Sequence, residues 1–97
     1  MNARPAPAGT RQPITACMIV LDEQDRLPAA LASLRWCDHL VVVDAGSTDR
    51  TVELARDAGA TVVVHPWAGY AAQRNIALDH ASSDWVLEID ADERVSE

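Results

Sequence analysis

Apolar and polar positions follow two alternating patterns along this chain. Four short runs of apolar or β-branched residues are typical of buried strands. Between them lie three segments whose apolar residues recur at the spacing of one helical face. The predicted strands are residues 14–21, 40–43, 61–64 and 85–89, and the predicted helices are about residues 27–36, 49–58 and 70–81.

The helical segments also carry signals for their buried faces and their ends. In the second helix Val52, Ala55 and Ala58 fall on one side, which we expect to face inward. Gly59 follows directly and is suited to a left-handed C-terminal cap. In the first helix the predicted inward residues are Leu27, Ala30, Leu31 and Leu34.

Regular alternation of strands and helices, with short connections, predicts one architecture. It favours an α/β fold whose mostly parallel, Rossmann-like sheet is covered on both faces and doubly wound. Ligands of such sheets bind beyond the carboxyl ends of the strands, near the point where strand order reverses. Acidic residues follow three predicted strands: Asp22 and Glu23 the first, Asp44 the second, and Asp90 and Asp92 the fourth.

Composition limits the size and partners of the domain. Ninety-seven residues with 48% hydrophobic content suit one small domain beginning near Ile14. Residues 1–13 are rich in proline and alanine and predict a disordered tail. A net charge of −7 argues against nucleic acid as a partner. Because we find no signal peptide and no membrane-spanning apolar run, we expect no transmembrane segment and a cytoplasmic location.

Cysteines and histidines offer no metal-binding pattern. Cys17 and Cys37 form no CxxC motif, so we expect reduced thiols in the core. His39, His65 and His80 share no ligand spacing, and we interpret them as incidental surface or loop residues.

The acidic pair Asp90 and Asp92 is the first candidate for chemistry. In extended backbone, residues two apart point to the same side, so the two carboxylates could hold one hard divalent cation. Mg²⁺ or Mn²⁺ would suit carboxylate oxygen and keep open positions for phosphate. An acidic pair in a solvated loop is the alternative interpretation.

Asp44 begins the second candidate segment, a turn from strand to helix. Gly46 gives this turn its freedom, and Ser47, Thr48 and Asp49 are candidate caps for the helix that follows. In addition, Asp44 could accept a hydrogen bond from a base N–H or a sugar hydroxyl.

Arg74 is the third candidate and lies between Gln73 and Asn75 on the third helix. We place these three residues on the polar side of a face formed by Ala72, Ile76 and Asp79. Arg74 is either an ordinary surface residue or a contact for a nucleobase edge or a phosphate, for which guanidinium is better shaped than an ammonium group.

Four motifs that include these candidate residues, taken in their order along the chain, resemble the N-terminal, nucleotide-binding half of a family 2 glycosyltransferase with the GT-A fold. The resemblance covers about residues 14–97, with about four strands and three helices, and predicts a partial GT-A domain that is incomplete at its C-terminus. Among such enzymes the chain is most similar to bacterial sugar transferases of lipopolysaccharide core assembly. The motifs are residues 18–23 (MIVLDE), 42–51 (VVDAGSTDRT), 74–75 (RN) and 87–93 (LEIDADE).

The resemblance implies roles for individual residues. Asp44 would contact the base or ribose of a nucleotide-diphosphate sugar, and Arg74 would lie near the base. Asp90 would bind on the ribose side, and Asp92 would bind the metal that bridges the diphosphate. Asp22 is included as a donor-site residue, although the family often carries Asn at that position.

The implied reaction transfers the sugar, with inversion, from the donor to an acceptor hydroxyl. The acceptor would be a glycan or a lipid-linked molecule, and peripheral membrane association is compatible with it. In the family the general base lies in the half of the fold after the Asp90–Asp92 region, so no catalytic residue is assigned here. We therefore expect this chain to be an inactive fragment, which leaves open whether it is an enzyme by itself.

Two alternatives belong to other classes. A non-catalytic nucleotide-binding module would use the same donor-site residues. A phosphatase or phosphotransferase of the haloacid dehalogenase type also places two aspartates after a strand, but it requires Thr or Val where Arg94 stands.

Overall fold

Seven elements alternate along the chain in the predicted order. A computed structural model of the protein describes residues 13–81 and 85–89. The predicted tail, apart from Pro13, lies outside the described residues, and so do Asp90 and Asp92. The elements are β1 (Ile14–Val20), α1 (Leu27–Ser33), β2 (His39–Asp44), α2 (Thr51–Asp57), β3 (Thr61–Val64), α3 (Tyr70–Asp79) and β4 (Trp85–Glu88).

The four strands form one sheet in the order β3-β2-β1-β4, and every neighbouring pair is parallel. Successive strands step from β1 to β2 to β3, and the chain then crosses back to place β4 on the other side of β1. The strand order therefore reverses between β1 and β4, which is where a doubly wound sheet binds ligands. The predicted α/β fold with a parallel sheet is confirmed.

Side chains of β1 alternate between two apolar clusters, one on each face of the sheet. Ala16, Met18 and Val20 pack with α1 and α2 on one face. Cys17 and Ile19 pack against α3 on the other face. A period of two along a strand produces this division, so a continuous apolar run serves both faces.

The first helix buries the predicted face, whereas the second differs from expectation. Thr51 and Ala55 are the buried residues of α2, and Ala58 is exposed. The helix ends at Asp57, one residue before Ala58, and the chain leaves through Gly59 at a φ of +87°. That left-handed conformation confirms the predicted cap. Leu27, Ala30 and Leu31 of α1 are all buried, and so is Leu34 directly after its last residue.

Both cysteines are free thiols, as predicted, with Cys17 buried and Cys37 half-buried. Burial raises the pKa of the Cys17 thiol to about 11, and the negative charge of Glu88 adds to the shift. Burial alone raises the pKa of Cys37 to about 11. Both groups are therefore neutral thiols at physiological pH.

The helices in the described part of the chain are short. The longest, α3, has ten residues. None of those described is long and apolar enough to cross a bilayer.

Candidate functional site

Two loops meet where β1 and β2 end at the carboxyl edge of the sheet. We call residues 21–26, after β1, and 45–50, after β2, the paired loops. The backbone N–H of Asp22 donates to the Ser47 hydroxyl at 2.8 Å. In return the backbone N–H of Thr48 donates to Asp22 Oδ1, also at 2.8 Å. Asp22 thus bridges the loops in both directions.

Three further hydrogen bonds continue this connection. The N–H of Glu23 donates to Thr51 Oγ1 at 2.9 Å, and the N–H of Gln24 donates to Asp49 Oδ2 at 3.3 Å. The N–H of Arg50 donates to Gln24 Oε1 at 3.1 Å. Backbone donors that would otherwise face solvent are satisfied by side chains of the opposite loop or of Thr51, the first residue of α2, so the paired loops form one structural unit.

Asp22 adopts a left-handed backbone conformation with a φ of +50°. Aspartate tolerates this region better than most residues with a side chain, because its short polar group bonds locally. Here the same turn aims the carboxylate at the N–H of Thr48. The structure places this predicted donor-site residue as a bridge between loops.

Asp44 is the last residue of β2 and is only 1% exposed. Its Oδ2 accepts the backbone N–H groups of Gly46 at 3.0 Å and Ser47 at 2.8 Å. The Ser47 hydroxyl donates to Oδ1. Gly46 has a φ of +114°, which permits the turn to fold back on the carboxylate. Asp44 therefore organises its own turn, and Ser47 connects it to Asp22.

Asp49, among the predicted caps, closes the start of α2. Its Oδ1 accepts the Thr51 N–H at 2.9 Å, as well as the Thr51 hydroxyl. The hydrogen bond from the Thr51 hydroxyl is the main cause that lowers the pKa of Asp49. Arg50, directly before the helix, makes no capping bond with its side chain. Capping thus falls to Asp49, while Ser47 serves Asp44 and Asp22.

A cleft opens between β1, β4 and α3, where the strand order reverses. Its volume is about 170 Å³. Arg74 extends from α3 over this cleft and pairs with Glu88 of β4, with 3.2 Å between Nε and Oε1. Both side chains are about half exposed, at 52% and 47%. The cleft is lined by Cys17, Ile19, Tyr70, Arg74, Ala77, Glu88 and Ile89.

An exposed aromatic pair stands beside the cleft. Trp67 and Tyr70 meet edge to face, with ring centroids 6.3 Å apart and planes at 78°. Their exposed fractions are 57% and 56%. Tyr70 also lines the cleft, so one wall of the site is aromatic.

Gln73, on the same helix as Tyr70 and Arg74, is fully buried, contrary to the prediction that it lies on the polar side of α3. Its Nε2 donates to the His65 carbonyl at 3.1 Å, and its Oε1 lies 3.2 Å from His65 Nδ1. These bonds tie α3 to the loop after β3. A neutral polar residue inside a helix gave no sequence signal for this contact.

The histidines have local structural contacts. His65 belongs to the Gln73 contact. His39 Nε2 lies 2.8 Å from Thr61 Oγ1, which joins the starts of β2 and β3. His80 Nδ1 lies 2.9 Å from the carbonyl of Ile76. Within residues 13–81 and 85–89 no three His, Cys, Asp or Glu side chains cluster to hold a metal ion.

Strand β4 brings the chain to the carboxyl edge of the sheet at Ile89. Glu88 is in register with Cys17, and the N–H of Ile89 donates to the Cys17 carbonyl at 3.1 Å. Ile89 is 9% exposed. The chain therefore leaves β4 at the same edge as the cleft. Asp90 and Asp92 come next but lie outside the described residues, and their carboxylate chemistry suits Mg²⁺ or Mn²⁺.

Comparison with known proteins points to one family. The sequence model of the family described as "Glycosyl transferase family 2" matches residues 15–97. An uncharacterized glycosyltransferase of Rickettsia bellii is 44% identical over 86% of this chain and 29% of its own length. The lipopolysaccharide core biosynthesis glycosyltransferase LpsC of Rhizobium meliloti is 42% identical over 86% of this chain and 33% of its own.

Solved structures agree with the sequence relatives. Glucosyl-3-phosphoglycerate synthase from Mycobacterium tuberculosis has been crystallised with Mn²⁺, UDP and glucosyl-3-phosphoglycerate. It superposes with a TM-score of 0.72 and is 27% identical over 86% of this chain and 36% of its own. Other crystals of that enzyme contain Mn²⁺ with UDP-glucose, or Mg²⁺ with UDP. The predicted GT-A fold is confirmed, and this chain spans about a third of these proteins' length.

Proposed function

Because this chain belongs to glycosyl transferase family 2, we propose that it forms the donor-binding region of an enzyme that transfers sugar from a nucleotide-diphosphate sugar to an acceptor hydroxyl. The observation that carries the proposal is the cleft between β1 and β4. It lies at the reversal of strand order and has an arginine at its mouth. The next residues along the chain are Asp90 and Asp92.

Each donor-site residue has a proposed role. Arg74 contacts the edge of the base, for which its planar donors are suited. Asp44 contacts the base or ribose. An ionised carboxylate has about four lone-pair sites, so Asp44 can accept a hydrogen bond from the donor in addition to those from its own turn. Asp90 binds on the ribose side. Asp22, with its loop bridge, holds the turn that presents Asp44.

Asp92 is the proposed ligand of a divalent cation, Mg²⁺ or Mn²⁺. Both ions accompany UDP in the M. tuberculosis enzyme. When bound, such an ion neutralises charge that grows on the leaving diphosphate. The protein's own charge of −7 makes a cation all the more necessary beside an anionic donor.

The acceptor and location are further parts of the proposal. LpsC is named for lipopolysaccharide core biosynthesis, which supports a glycan or lipid-linked acceptor. We infer a cytoplasmic site of action, with peripheral membrane association when the acceptor is lipid-linked.

Calorimetric titration with UDP and GDP, each with and without Mn²⁺, tests donor binding. We expect one nucleotide to bind more tightly with Mn²⁺, and Asp92→Ala to abolish that metal dependence. Asp79→Ala, an exposed aspartate at the end of α3, is the matched control and should bind as the wild type does. The proposal is wrong if folded protein binds neither nucleotide, or if Asp92→Ala retains the Mn²⁺ effect.

A second candidate is a nucleotide-binding module without catalysis. It would use the same cleft and the same donor-site residues. Incubation with radiolabelled nucleotide sugar separates the two. Release or transfer of labelled sugar indicates an enzyme, whereas binding without turnover indicates the module.

A further inference from the structure

Glu88 lies on the α3 face of the sheet, beside the apolar residues of its core cluster. Two residues earlier in β4, Val86 packs into the cluster formed by Cys17, Val41, Val43 and Ala77 beneath α3. The period of two along a strand puts Glu88 on this same face. Its charge is close enough to contribute to the raised pKa of the Cys17 thiol. An apolar residue would continue the pattern, so the acid needs another explanation.

Stability does not provide that explanation. The partner of Glu88 is Arg74, and both side chains are about half exposed. Ion pairs with this much contact with water contribute little to folding, because the solvent screens them and ordering two long side chains costs entropy.

The geometry of the pair instead suits a ligand at the cleft. Glu88 Oε1 contacts Arg74 through Nε, at 3.2 Å. Arginine has five N–H donors in a planar fork, and an Nε contact does not itself use the four on the terminal nitrogens. Fixing the guanidinium at Nε orients its other donors in advance, which lowers the entropy lost on binding.

Charge and size indicate which part of a donor enters here. A lone arginine attracts phosphate, but the pair of Arg74 and Glu88 carries no net charge. The cleft, at about 170 Å³, is smaller than the roughly 300–1,000 Å³ of sites that enclose whole ligands. Tyr70 adds an aromatic wall. These features favour one planar, uncharged heterocycle over the diphosphate.

We propose that Glu88 is a positioning residue that holds the Arg74 guanidinium across the cleft so that it reads the edge of the nucleobase. This inference rests on the proposed donor-binding function. It assigns base recognition to the pair formed by α3 and β4, and leaves the diphosphate to the metal.

The test compares two probes on the full 97-residue chain. UDP with Mn²⁺, or GDP if the wild type prefers it, contains the base; pyrophosphate with Mn²⁺ does not. We expect Glu88→Ala to weaken nucleotide binding about tenfold, the loss of one well-oriented charged hydrogen bond. Pyrophosphate binding should not weaken, because Arg74 without Glu88 attracts phosphate at least as strongly as the pair does. Glu88→Gln keeps an acceptor for Nε and should lose only about twofold to threefold.

A double-mutant comparison shows whether Glu88 acts through Arg74. In an Arg74→Ala background, Glu88→Ala should cause no further loss, because the group it positions is gone. Glu53→Ala is the matched control, since Glu53 pairs with Arg50 at 2.7 Å on the exposed side of α2. That variant should bind both probes normally.

Several results would overturn the inference. These are unchanged or tighter nucleotide binding by Glu88→Ala, equal loss for both probes, or full additivity with Arg74→Ala. If circular dichroism shows that Glu88→Ala is unfolded, Glu88→Gln with and without Arg74→Ala gives the same test. Failure of the wild type to bind any nucleoside diphosphate would instead reject the proposed function itself.

Discussion

Gln73→Leu should destabilise the protein although leucine fits the site. Gln73 is fully buried and joins α3 to the loop after β3 through its two contacts with His65. Leucine has a similar volume, so the change creates little cavity and isolates the loss of hydrogen bonding.

The magnitude follows from the groups left without partners. Removing the Nε2 donor leaves the half-buried His65 carbonyl without this bond, at a cost near the lower end of the roughly 1–3 kcal/mol for a buried group. His65 Nδ1 still has the Pro66 carbonyl at 2.8 Å, so the second contact adds little. We therefore expect a loss of about 1 kcal/mol, which lowers Tm by roughly 4–8 °C in a domain of this size.

Urea unfolding followed by tryptophan fluorescence and by circular dichroism measures this change. Asn75→Leu makes the same kind of substitution at an exposed position of the same helix and should change stability by less than about 0.5 kcal/mol. Equal stability of Gln73→Leu and wild type would refute the reasoning. So would an equal loss in Asn75→Leu, because the loss would then not depend on the burial of Gln73 or on its contacts with His65.

Three other predictions concern the turn at Asp22, the thiols and the core. Asp22→Gly should be more stable than Asp22→Ala by about 1 kcal/mol in urea unfolding, because both lose the carboxylate but only alanine is strained at a φ of +50°. The raised pKa values of Cys17 and Cys37 stabilise the fold fully below pH 9.0, and this contribution should be lost as pH rises through about 11. A variant with alanine at both cysteines should lack that alkaline decline, and a decline equal to the wild type's would disprove the assignment. Leu34→Ala should cost about 2–5 kcal/mol because the side chain is fully buried, while Leu21→Ala at a half-exposed position should cost under about 1 kcal/mol; similar losses would contradict the core assignment.

The sequence by itself determined the elements and their order. The sequence signal for a strand or a helical face lies in residues two to four positions apart. The apolar run of β1 and the buried face of α1 could therefore be predicted from the sequence. The left-handed turn at Gly59 could also be predicted locally, because glycine adopts positive φ without steric cost. Family motifs added the GT-A fold, which the comparisons confirm.

Only the tertiary structure decided which residues meet. Asp22 and Thr48 are 26 positions apart, yet they bridge the paired loops because parallel β1 and β2 end at the same edge. Gln73 is buried where it donates a hydrogen bond to His65 in the loop after β3. The polar character of glutamine gave no indication of this burial. Arg74 meets Glu88 because the crossover returns β4 to the far side of β1. A pattern of apolar and polar positions specifies which face is buried, whereas pairing between distant side chains depends on strand order and crossover path.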